Sequence, residues 1–148
     1  MSTTVQAGAD VKPKAAIGPA IARVLLGLMF TLFGAMGLAM AFHMMKAPEQ
    51  PMPEGAKAFN MALANSGYMM PLVSGTQFVV GVLLLFNRFV PLALAVLAPV
   101  LVNIVLFHLF LQPAGIVPGL VATALELYLA WSYRDAFRSM LMAKTVAG

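Results

Sequence analysis

Cysteine is absent from this chain. Disulfides, thiolate metal sites, CxxC redox chemistry and cysteine nucleophiles are therefore excluded. Charge is also scarce. Asp, Glu, Lys and Arg make up 9% of the 148 residues, where a soluble domain carries about 25%. No phosphate-binding loop, catalytic triad or zinc-ligand spacing occurs. The net charge of +4 comes without a basic patch interleaved with aromatics, so no nucleic-acid partner is expected.

What fills the chain instead is apolar: 61% of residues are hydrophobic and the mean hydropathy is +0.91. Such a composition belongs to the membrane class, and the lipid bilayer is the first partner it implies. Residues 1–19 read as a disordered cytoplasmic tail rather than a cleavable signal, because two lysines lie among small and polar residues and the apolar run that follows is too long. Residues 135–148 read as a basic cytoplasmic tail.

Four apolar segments stand between, at about 20–43, 71–87, 91–112 and 115–133. In the first, Ala20, Gly27, Gly34 and Ala41 recur every seven residues. That stripe of small side chains lets a neighbouring helix approach closely. The connection at 44–70 is polar and proline-rich at its start. Its second half, from Ala56, predicts one or two turns of interfacial helix ended by Asn65, Ser66 and Gly67. The second span is the shortest, and Ser74, Gln77 and Gly81 share one of its faces. Short links join spans two, three and four, which predicts antiparallel neighbours.

Positive charge orients the array. Lys12, Lys14, Arg23, Arg88, Arg134, Arg138 and Lys144 fall on one side, Lys46 and Lys57 on the other. The expected fold is all-α: an integral-membrane, four-transmembrane-helix antiparallel bundle with both termini cytoplasmic.

Chemistry-bearing side chains are few. The third span holds Pro99, Asn103 and His108. Pro99 has no N–H and frees the Ala95 carbonyl one turn back. Asn103 lies ~12 Å below the outer end of its span, Gln77 ~9 Å and Glu126 ~15 Å, at ~1.5 Å per residue. His108 is about one turn from that end. These depths predict an outward-facing polar pocket of Gln77, Asn103, His108 and Glu126. Gln77 and Asn103 would position a small polar headgroup or a quinone, while His108 and Glu126 are the candidate proton-handling pair. The competing reading makes the same four residues hydrogen-bonding glue between helices. His43 and His108 are the one histidine pair available to haem, a reading ranked below both. The twelve methionines are read as adaptable packing and not as a metal site.

The segments ARVLLGLMFTLFGAMG, SGYMMPLVSGTQFVVGVLLLFNRFVPLALAVLAPVLVNIVLFHLFLQP and LELYLAWSYRDAF together resemble the DoxX-like membrane proteins. The resemblance covers about 21–138. It is densest in the turn around Asn87 and Arg88 and in the run from Pro99 to Leu111. It implies four transmembrane helices in a bacterial inner membrane. It also implies an association with redox complexes, since the type member is a small subunit linked to thiosulfate:quinone oxidation. The chain carries Gln77 where many members have an acidic residue. The expected function is a small accessory subunit near quinone or redox chemistry. The alternatives are a non-catalytic membrane scaffold and an oligomeric small-molecule or proton permease.

Overall fold

A computed structural model describes residues 16–143. The expectations for 1–15 and 144–148 lie outside these residues. Six α-helices and one 3-10 turn follow in order: α1 (Ile17–Ala41), α2 (Glu54–Asn65), α3 (Met69–Leu85), α4 (Val90–Phe110), the turn Pro113–Gly115, α5 (Ile116–Ser132) and α6 (Arg134–Phe137). No strand occurs among the described residues.

Three of these segments are long and apolar enough to cross a membrane: α1, α4, and α5 with the turn before it. A fourth crossing is available if α2 and α3 count as one span bent by 91°. Only 28% of the most apolar stretch of α4 is buried within the protein. The rest of so apolar a helix needs another medium, and lipid supplies it. α3 has 17 residues, about 25 Å of rise, and fits a ~30 Å hydrocarbon layer only with local thinning or help from its flanks.

Close approaches at the glycines fix how the helices pair. Gly27 lies against Gly81 and Leu85, Gly34 against Phe78, and Gly37 against Ser74. As α1 numbers rise, α3 numbers fall, so the two helices are antiparallel. A Cβ placed on Gly34 would sit 2.4 Å from the Phe78 nitrogen, so here backbone meets backbone. Two members of the expected stripe, Gly27 and Gly34, are therefore close-approach positions, while Ala20 and Ala41 are only half-buried. Gly37, outside the seven-residue repeat, joins them.

α4 and α5 are also antiparallel, with Gly119 against Ile104 and Val105. Neighbours run in the cyclic order α1, α3, α4, α5 and back to α1. One core fills the centre, built from Leu26 and Phe30 of α1, Val80 and Leu84 of α3, Leu94, Leu97 and Leu101 of α4, and Ala122 and Leu129 of α5.

The connections depend on left-handed backbone. After α1, His43 (φ 58°) lets Met44 N–H donate to the Ala39 carbonyl and His43 N–H to Met40. After α3, Asn87 (φ 54°) does the same, with Arg88 N–H reaching Leu83 and Asn87 N–H reaching Leu84. Both are Schellman closures built without glycine.

α2 is longer than the one or two turns expected. Its Ala56 is fully buried, Phe59 meets Phe107 at 5.6 Å between ring centres, and Gly55 faces Leu111. It thus lies across the end of α4. α1 begins three residues before the expected start, at Ile17. The basic tail begins within α6, whose Phe137 packs back on the core.

Candidate functional site

Glu126 stands at the eleventh position of α5, where helical spacing puts it on the side of Ala122 and Leu129, both fully buried. It is itself buried, with 7% of its surface exposed. Its Oε1 atom has no hydrogen-bond partner. Buried polar atoms are rarely left so, and each such orphan calls for a physical reason.

Glu126 borders a groove of about 370 Å³ between α4 and α5. From α4 the walls are Leu94, Ala95, Ala98, Leu101, Val102 and neighbours. Thr123, Leu127 and Ala130 come from α5, and Phe137 closes one end. Thr123 turns its hydroxyl onto the Gly119 carbonyl, 2.8 Å away, so the carboxyl is the unpartnered polar group of the lining. Helix α4 runs unbroken through Pro99, yet proline has no N–H for the Ala95 carbonyl. The groove wall therefore includes the residue whose carbonyl has lost its ladder partner. Alanines at 95, 98 and 130 leave the space that larger side chains would fill.

The four residues expected to share one pocket do not meet at this groove. Only Glu126 lines it. Asn103 is exposed on the outside of α4. Gln77 is half-buried on α3, across the ring from α5. His108 is half-buried at the far end of α4, where its Nδ1–H donates to the Gln112 carbonyl at 3.1 Å. Its ring packs over Gly115, where an added Cβ would lie 2.5 Å from Cε1, and meets Phe107 edge-on at 5.2 Å. His108 thus fastens the α4–α5 turn. The groove itself runs along the middle of α4, from Leu94 to Leu106, and along α5 from Thr123 to Ala130. The four candidate residues are thus spread over the bundle, and the groove that Glu126 borders is mostly apolar. Depth from helix rise was sound in principle, but rotation about each axis decides which side chains converge.

The haem pair fares likewise. His43 is exposed and serves as the left-handed closure of α1, and α1 and α4 are not neighbours in the ring. No cluster of three or more His, Asp or Glu side chains suited to a metal occurs among the described residues.

One functional-looking residue was read from sequence only as flanking charge. Arg23 is half-buried, seven residues into α1. Its guanidinium donates to the carbonyls of Leu84 and, at 3.1 Å, Leu85. These are among the last carbonyls of α3, which lack partners within the helix and carry its negative dipole end. The available signal was an arginine one turn and more inside an apolar span, where it needs acceptors. Arg23 is a helix cap and takes no part in the groove.

No protein-family model, no characterised protein and no solved structure matches the chain.

Proposed function

We propose that this chain is a four-span bacterial inner-membrane protein that holds a quinone-class headgroup in the α4–α5 groove, as a small accessory subunit of membrane redox chemistry. The observation that carries the reading is the buried, unpartnered carboxyl of Glu126 at an apolar groove of about 370 Å³. Small-molecule sites typically have about 300–1,000 Å³, mostly apolar walls and few polar groups. A quinone suits that lining: a flat apolar ring with carbonyl acceptors and an apolar tail that leaves sideways into lipid. In its neutral form a carboxyl has one O–H to donate and lone pairs to accept with. Glu126 can then donate to a quinone carbonyl or accept from a quinol hydroxyl. A bound quinone supplies two-electron, two-proton redox chemistry. The chain's own part is to bind the ring, exclude water with Leu94, Leu101 and Leu127, and hold a proton at the Glu126 carboxyl. The redox association itself rests on the DoxX-like resemblance.

The ring order of the helices supports a four-span arrangement, with α3 as the short second crossing and α2 along the outer surface. The distribution of Lys and Arg supports cytoplasmic termini.

The test is purification in mild detergent, followed by solvent extraction and chromatography of lipophilic cofactors, with the absorption spectrum recorded. Quinone in a fixed ratio to protein supports the reading. A Soret band instead would favour haem. Neither species in the wild-type preparation, together with unchanged cellular function in Glu126→Gln, would leave the scaffold reading in its place.

A further inference from the structure

Asn103 is the one strongly polar side chain on the exposed face of α4 between Val90 and Leu106. It makes no hydrogen bond among the described residues. At mid-span there is no water for its two N–H donors and its carbonyl, and lipid offers nothing in exchange. The residues around it are not scattered. Leu92, Val96, Pro99, Asn103, Leu106 and Phe110 are all exposed and are spaced by four, three, four, three and four. That is the repeat of a helix–helix seam, with the asparagine near its middle. The seam is bordered on one side by the α4–α5 groove, which Leu106 lines, and on the other by an α3–α4 groove, which Leu92 and Val96 line. Neighbouring helices therefore stand back from it, and a further helix has room to approach.

From these observations we infer that α4 is the interface between two copies of this chain, packed as a parallel pair and registered by an Asn103–Asn103 hydrogen bond. A second copy is favoured over an unrelated helix because an amide is its own complement. Each donates through N–H and accepts through its carbonyl, so two asparagines on a two-fold axis satisfy one another. Two copies inserted with the same orientation are related by a two-fold axis along the membrane normal. Their α4 helices are then parallel and both Asn103 residues lie at the same depth. A single asparagine within an apolar seam sets register and copy number in soluble coiled coils, and interhelical polar contacts act similarly in membranes.

The absence of native cysteine makes the test direct. Val96→Cys, Asn103→Cys and Leu106→Cys, made singly and oxidised in native membranes, are expected to give disulfide-linked dimers. Leu32→Cys on α1 and Leu120→Cys on α5, both exposed, are expected to give none. In reconstituted bilayers Asn103→Leu is expected to weaken dimerisation about threefold to thirtyfold, the range set by interhelical hydrogen bonds, and Asn103→Gln to restore part of it. Val96→Cys and Leu106→Cys retain Asn103, so their pattern decides the matter even if Asn103→Leu folds badly. Cross-linking absent at 96 and 106, or equally strong at 32 and 120, would overturn the interface. Labelling of Asn103→Cys by a water-soluble maleimide would overturn the membrane location of α4, and the interface with it, because water would then satisfy the amide.

Discussion

At Glu126 a carboxyl oxygen goes without a partner, and such an atom costs about 1–3 kcal/mol. Glu126→Leu is therefore expected to raise the melting temperature of the detergent-purified protein, or at least not lower it, by a gain of that order. A drop would mean that the carboxyl holds helices together, as the glue reading requires. His43 offers a second residue-scale check. It adopts φ 58° while exposed, and a left-handed backbone costs a non-glycine residue about 1–2 kcal/mol. His43→Gly relieves that strain, offset in part by the greater freedom of glycine in the unfolded chain. A net gain of roughly 0.5–1 kcal/mol in thermal or denaturant unfolding is expected. A haem role for His43 would instead show as a lost absorption band.

The α1–α3 pair is the tightest contact between elements, and its tolerance should differ glycine by glycine. Gly34→Ala drives a methyl into the Phe78 backbone, at 2.4 Å from its nitrogen, and is expected to cost about 1–3 kcal/mol by overpacking. Gly75→Ala meets nothing nearer than Leu38 at 3.9 Å and should be neutral or gain up to ~1 kcal/mol of helix propensity. Equal effects in the two variants would contradict the backbone contact. Arg23 joins the same two helices from the other end. Removing it in Arg23→Leu strips these donors from the last α3 carbonyls and should cost about 1–2 kcal/mol, with Arg23→Lys intermediate because an ammonium is more strongly hydrated than a guanidinium and is costlier to hold in an apolar span. Unfolding monitored by far-UV circular dichroism compares all four variants.

For the molecule as a whole, the spans were legible and the site was not. The four apolar helices and the helix after the proline-rich loop all follow from composition and breakers, with the ends of the apolar runs displaced by one to three residues. Facing was hidden. In water a helix shows its buried side by being apolar there, but in lipid both sides are apolar and the pattern vanishes. Asn103 and Glu126 are equally isolated polar letters in apolar runs, yet one points out of the bundle and the other into it. Arg23 was misjudged for the same reason, since linear position places it near a membrane surface but says nothing of the carbonyls it reaches. The orientation proposed from Lys and Arg is checked with single cysteines in whole cells. Lys57→Cys is expected to react with an impermeant maleimide from outside, and Arg88→Cys only after permeabilisation. The reverse pattern would invert the topology.

Quinone binding beside Glu126 is tested most directly by fluorescence. Trp131 is the only tryptophan; it follows groove-lining Ala130 on α5, so a quinone in the groove is close enough to quench it. A short-tailed quinone titrated into the protein in lipid nanodiscs is expected to quench Trp131 saturably. Glu126→Leu is expected to weaken the apparent affinity about tenfold, equivalent to roughly 1.4 kcal/mol, with Glu126→Gln between the two. Quenching that never saturates, or that follows one curve in the wild type and in Glu126→Leu, would contradict a quinone site at this groove.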